Sequence, residues 1–217
     1  MRLLVTGASG LLGLNLSLVA ARQGIEVTGL VNSRSLQDVP FEVRQVNLLE
    51  PEAALQVIEA SQPDAIIHCA AIASINAAEQ QPELTQKMNA EIPGQLAATA
   101  KGWGVPFVHI STDAVFDGVK GDFRETDSTG PLSIYGRAKL AGEHAVQSAN
   151  PDAIIARTVF YGWSLSGKRS LAEFFFNQLT AGEPMKGFTD TVFCPLSVED
   201  LAQALLEMVE KRLSGVY

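Results

Sequence analysis

"RLLVTGASGLLG", residues 2–13, runs from an apolar segment directly into a glycine-rich turn. Residues 2–7 read as a buried strand ending on glycine, and "LLGLNLSLVAARQG" (11–24) as a helix closed by Gly24. Gly7, Gly10 and Gly13 stand three apart at the junction, with Ser9, Leu11 and Leu12 completing the loop. A backbone without Cβ turns tightly and lets a pyrophosphate come close. The helix N-terminus adds unclaimed N–H groups and a partial positive charge. Three glycines packed for their own sake would look the same in isolation. Their position between the first strand and the first helix marks them as a dinucleotide loop.

The alternation continues downstream. Strands are expected at 25–31, 41–48, 64–71, 106–113 and 152–160. Helices are expected at 51–62, with a proline at its start, at about 82–101 and at 133–149. Pro93 and Gly94 should kink or split the second of these. Strand–helix alternation of this kind gives right-handed βαβ units and an α/β, Rossmann-type, doubly wound parallel sheet. Residues 1–160 read as the NAD(P)-binding domain. The alternation loosens after residue 160, and the helix at 197–212 is expected to pack back on the core. Ser197 and Asp200 fit a capping box, and Leu201, Leu205, Met208 and Val209 form an apolar stripe. "EFFFNQ" (173–178) reads as another core stripe.

A net charge of −8 over 217 residues, with no Lys/Arg cluster, argues against a nucleic-acid surface. No apolar run is long enough to span a bilayer. Cys69 and Cys194 lack metal-ligand spacing, and no metal is expected. They read as free thiols, and the chain as cytoplasmic. His68, His109 and His144 read as structural histidines with their hydrogen bonds met. Asn89 either positions water or backbone near a site or packs its helix.

NAD sites commonly place an acid after the second strand to hold the ribose hydroxyl. Here Asn32, Ser33 and Arg34 occupy that place, and no acid lies between Glu26 and Asp38. Arg34 either pairs with a 2′-phosphate or is a solvated loop charge. The first reading makes NADP the expected cofactor, with NAD as the alternative.

"SIYGRAKLAGEHA" (133–145) sets Tyr135 and Lys139 on one helix face at i and i+4. An ammonium beside a phenol should lower its pKa and make it a usable acid or base. "STD" (111–113) ends the fifth strand at the edge where open α/β sheets bind ligands, so the Thr112 hydroxyl can meet a substrate oxygen.

Together, "TGASGLLG", "IIHCAA", "HISTDAVFDG", "PLSIYGRAKLAGE" and "RTVFYG" resemble the extended short-chain dehydrogenase/reductases. Among these the chain is most similar to the dTDP-4-dehydrorhamnose reductase family. The resemblance implies that Thr112 and Tyr135 contact the substrate carbonyl, with Tyr135 as proton donor and Asp113 beside the substrate. It implies that Lys139 binds the nicotinamide ribose, and that Asn47, Leu48, Cys69, Ala70 and Ala71 line the cofactor. A nucleotide-sugar is the implied substrate, and a homodimer paired through the helices at 82–101 and 133–149 the implied assembly. Asn76, Ala114, Phe193 and Leu196 depart from the family's pattern on the substrate side, as does the absence of a tryptophan from "RTVFYG". The resemblance implies that residues 161–217 form a partial substrate-binding region, since the end at "GVY" matches a strand that usually continues into the substrate domain. Two other readings within the resemblance are a sugar-nucleotide epimerase or dehydratase, and a non-catalytic partner protein like the β subunit of methionine adenosyltransferase.

Overall fold

The computed structural model describes residues 1–50 and 52–217. Its first half alternates β1 (Arg2–Thr6), α1 (Leu11–Arg22), β2 (Glu26–Val31), β3 (Glu42–Gln45), α2 (Ala53–Ser61) and β4 (Ala65–His68). The proline expected to open α2, Pro51, lies outside the described residues. Next come α3 (Ile75–Gln80), α4 (Pro82–Gln86), a π-helical turn (Lys87–Glu91), α5 (Ile92–Gly102), β5 (Phe107–Ser111) and a 3₁₀ turn (Asp113–Val115). The chain closes with α6 (Ile134–Ala149), β6 (Ile154–Arg157), β7 (Val159–Tyr161), α7 (Leu171–Ala181), β8 (Pro195–Ser197), α8 (Val198–Glu210) and β9 (Gly215–Val216).

Seven strands form one parallel sheet in the order β3-β2-β1-β4-β5-β6-β9. The sheet is buried on both faces, which is why β1, β4 and β5 are almost unbroken apolar runs rather than alternating ones. On one face, Leu12, Leu16 and Val19 of α1 pack with Leu201, Leu205 and Val209 of α8. On the other, Ile58, Leu96 and Val146 from α2, α5 and α6 close over Leu4, Ile66 and Phe107. Strand order reverses between β1 and β4, so the loops leaving their carboxyl ends diverge and open a crevice there.

Three elements differ from the sequence reading. The expected strand 152–160 is two: β6 ends at Arg157, and β7 leaves the sheet to pair with β8. Arg157 spends its side chain on Glu143 and its N–H on the Tyr217 carbonyl, which closes the main ladder. The helix around 82–101 is not broken at Pro93-Gly94. Its irregularity falls one step earlier, in the π turn, whose wider i→i+5 bonding accommodates the N–H that Pro93 lacks. A Cβ at Gly94 would come within 2.9 Å of the Ala145 methyl, so glycine there lets α5 press against α6. Finally, the "EFFFNQ" segment is no core stripe. Phe174, Phe175 and Phe176 are exposed, and Glu173 is the residue α7 buries. That carboxylate turns inward as a helix cap, carrying the aromatic face outward.

Candidate functional site

The glycine loop holds its shape by contacts that side chains would obstruct. Gly7 has φ +68°, and a Cβ there would lie 2.8 Å from the Ala70 backbone. A Cβ on Gly13 would lie 2.3 Å from the Gly7 carbonyl oxygen, so the first turn of α1 can sit on the loop only as glycine. The Gly10 N–H donates to the Gly7 carbonyl at 2.8 Å, and Gly10 caps α1 with no side chain claiming the first-turn N–H groups. Those donors face a crevice made of two adjoining cavities, of about 300 and 580 Å³. A backbone cradle of this shape, with N–H groups directed outward, fits the diphosphate of a dinucleotide.

Gly7, Ser9, Asn32, Asn47, Leu48 and Ala70 line the smaller cavity, and Leu11, Leu12 and Gly13 the larger. Gly10, Cys69 and Ala71 border both. Ser33 and Arg34 are exposed on the loop after β2 and lie outside either lining. The β4 edge is fixed from below: the Thr6 hydroxyl accepts the Ala70 N–H at 3.2 Å and contacts His68 Nδ1 at 2.7 Å. It is fixed from the side by Asn89, whose amide bonds both the N–H (2.8 Å) and the carbonyl (2.9 Å) of Ile72. Of the two readings of Asn89, the structure bears out the one that places it on backbone near the site. Sequence reading missed Ile72, Phe160 and Arg169 in the cavity walls; nothing in their spacing marks them.

The Thr112 hydroxyl caps the 3₁₀ turn by accepting the Ala114 N–H at 3.2 Å, and donates to the Asp113 carboxylate at 3.2 Å. The Ser133 hydroxyl caps α6 through Gly136 N–H. Two close approaches lock α6 against the neighbouring loops. A Cβ on Gly136 would be 2.3 Å from the Ala114 oxygen, and one on Gly142 would be 2.1 Å from the Asn89 oxygen. The glycines flanking Lys139 therefore set the height of Tyr135 beside Thr112. Thr112, Asp113, Tyr135 and Lys139 are not in the walls of the two cavities; the larger one reaches Ile110, two residues short of Thr112.

Electrostatics reverse one expectation. Burial raises the Tyr135 pKa above its ordinary value, the Thr112 hydroxyl pulls it down less, and Asp113 adds to the rise. Lys139 is not among the groups that act on it; the ammonium donates to the Ile110 carbonyl at 2.6 Å and contacts His109 Nε2 at 3.1 Å. Burial drives Lys139 down to about 8, with Glu143 acting the other way. Lys139 needs an acceptor, so His109 presents a bare Nε2 and carries its proton on Nδ1. His68 and His109 stack at 5.6 Å, and His68 Nε2 and His109 Nδ1 have no hydrogen-bond partner among the described residues. These histidines are half satisfied rather than fully so. One turn beyond Lys139, buried Glu143 accepts from Ser111 Oγ and from Arg157 through two guanidinium nitrogens, which anchors the strand end carrying Thr112.

Comparison with known proteins adds three findings. The RmlD substrate binding domain family model matches residues 1–217. Among curated proteins, the chain is 36% identical to a probable low-salt glycan biosynthesis reductase, Agl14, of Haloferax volcanii, spanning 98% of this chain and 72% of that one. It is 34% identical to dTDP-4-dehydrorhamnose reductase of Mycobacterium tuberculosis, spanning 99% and 67%. It is 33% identical to methionine adenosyltransferase 2 subunit beta of Pongo abelii, spanning 98% and 63%. Among solved structures, a hypothetical dTDP-4-dehydrorhamnose reductase from Sulfolobus tokodaii superposes with a TM-score of 0.88 at 32% identity, covering 100% of this chain and 75% of that one. The dTDP-4-dehydrorhamnose reductase of Bacillus anthracis, in complex with NADP, superposes with a TM-score of 0.82 at 26% identity, covering 100% and 73%.

Proposed function

The chain belongs to the RmlD substrate binding domain family, and from that premise we propose that it reduces a nucleotide-linked 4-keto-6-deoxysugar with NADPH. The observation that carries this reading is the half-buried Tyr135 phenol paired with the Thr112 hydroxyl at the carboxyl end of β5, where it is protonated at neutral pH. A protonated phenol is what a carbonyl reduction needs, since the oxygen must gain a proton as the carbon gains hydride. Bound NADPH supplies that hydride. Thr112 orients the carbonyl oxygen, Tyr135 delivers the proton to it, and Lys139 holds the nicotinamide-side ribose once it turns from Ile110. Gly7, Gly10 and Gly13 seat the diphosphate, and Asp113 lies beside the sugar.

Residues 1–160 serve as the cofactor domain and 161–217 as part of the substrate-binding region, with Ala114, Phe193 and Leu196 among the residues that set the sugar. Cys69 and Cys194 are both free thiols, which suits a cytoplasmic protein. Among the described residues no helix is long and apolar enough to cross a membrane. A homodimer paired through α5 and α6 is the assembly in keeping with this fold.

A second reading is favoured by the 33% identity to methionine adenosyltransferase 2 subunit beta: a dinucleotide-binding partner protein without turnover. Absorbance of reduced nicotinamide separates the two, with NADPH and dTDP-4-keto-L-rhamnose as reactants. The reductase consumes NADPH, and Tyr135→Phe lowers the rate by roughly 100-fold or more. Tight NADPH binding with no oxidation across a panel of keto-sugars would sink the reductase and leave the partner protein. Arg34 supplies the cofactor preference: Arg34→Ala should weaken NADPH more than NADH, and equal losses would refute that role.

A further inference from the structure

Arg169 stands out in the crevice because it comes from a segment far along the chain from the glycine loop and is, among the described residues, the sole cationic side chain lining either cavity. It borders both cavities, together with Gly10, Cys69, Ala71 and Ile72. One cavity opens toward the ends of β2 and β3, the other toward Ile110 and Phe160. Their shared boundary lies at Gly10, the N-cap of α1. A dinucleotide laid along this crevice puts its two nucleosides in the two cavities and its diphosphate at their junction. The glycine loop itself carries no Lys or Arg, and the chain's net charge is −8.

The segment bearing Arg169 is built to hold it there. The Glu173 carboxylate, fully buried, accepts the backbone N–H groups of Ser164 (2.5 Å), Arg169 (2.7 Å) and Ser170 (2.9 Å). Burial alone would raise its pKa, but these donors outweigh that and hold it below the usual carboxylate range. The Ser170 hydroxyl donates to the Gly162 carbonyl at 2.6 Å, and Asn177 Nδ2 to that of Gly167 at 2.7 Å. Asn15 on α1 donates to the Trp163 carbonyl at 3.1 Å, tying the segment to the helix whose N-terminus faces the crevice. The Arg169 guanidinium makes no ion pair or side-chain hydrogen bond among the described residues. Its backbone is fixed and its charge is uncommitted.

We propose that Arg169 is a cofactor-binding residue that clamps the diphosphate from the side opposite the glycine loop, with residues 163–170 acting as a strap across the crevice. This rests on the reading of the site as an NADPH site and adds the residue that meets its central charge. A guanidinium suits the task because it bonds phosphate oxygens in pairs.

Titration calorimetry with three probes tests it: NADPH, 2′-phospho-ADP-ribose, which keeps the diphosphate without nicotinamide, and adenosine 2′-monophosphate, which has none. Arg169→Ala should weaken the first two roughly 10- to 100-fold and leave the third unchanged, with Arg169→Lys in between. Thermal melting of Arg169→Ala should match the parent, since the side chain is exposed. Unchanged NADPH affinity in Arg169→Ala would overturn the clamp and spare the reductase reading. An equal loss for adenosine 2′-monophosphate would overturn it too. A parent protein that binds none of the probes would overturn both, whereas binding without turnover sinks the reductase and keeps the clamp.

Discussion

His68 and His109 make acid a specific threat to this fold. Burial pushes His68 down to about 3 and His109 well below its ordinary value, with the Lys139 charge adding to both. An unfolded chain takes up those protons near pH 6.5, while the folded one refuses them. Stability supplied by these rings is therefore whole above pH 6.5 and drains as pH falls toward the folded values, by about 1 kcal/mol per pH unit for each ring. Denaturant unfolding followed from pH 7 to 5 should show that slope, and His68→Gln should flatten it; an unchanged slope would remove His68 from the account. The same cluster shows where residue-level reading stops. The Tyr135–Lys139 spacing was legible because i and i+4 share a helix face. What lies across from that face was not. The Ile110 carbonyl and His109 come from a strand about thirty residues away, and they take the ammonium that spacing alone would assign to the phenol.

Among the elements, the glycine loop, the parallel sheet and α8 could be read from the sequence because each follows from a local pattern. A glycine triplet between strand and helix, short apolar runs and an apolar stripe at helical period have few alternative readings. α7 has the same kind of stripe and did not behave that way. Periodicity says that residues share a face, not that anything covers it; Phe174, Phe176 and Leu179 stay exposed, and Trp163 meets Phe176 edge-on at 5.2 Å. The signal that would have placed α7 is Ser170 with Glu173, a complete capping box. That box orients the helix by its first turn rather than its apolar face. Glu173→Ala should leave three backbone N–H groups without their acceptor and cost about 1–3 kcal/mol. Amide exchange at Ser164, Arg169 and Ser170 should quicken well before that of α1; protection left intact would show that the strap holds by other means.

Across the whole molecule, elements far apart in sequence share one core. α8 closes the face that α1 begins, and Leu205 at its centre is fully buried. The opposite face is closed by α2, α5 and α6; the homodimer proposed above would use the outer surfaces of α5 and α6. Light scattering should then report twice the 23.2 kDa of one chain, and a mass of one chain at micromolar concentration would rule the dimer out. One feature of this face reaches beyond packing. The π turn at Lys87–Glu91 adds a residue to a helical run without adding a turn, so it works as a phase shifter. Side chains after it are rotated by about 100° relative to an unbroken helix. Before the offset Thr85 points inward; within it Asn89 reaches the backbone of Ile72; after it Leu96, Ala97 and Ala100 face the core. Deleting one residue there would make a more regular helix and a worse protein, because the Asn89 contact to Ile72 and the core wall could no longer both be in register. The irregularity lets one rod serve the crevice at one end and the hydrophobic interior at the other.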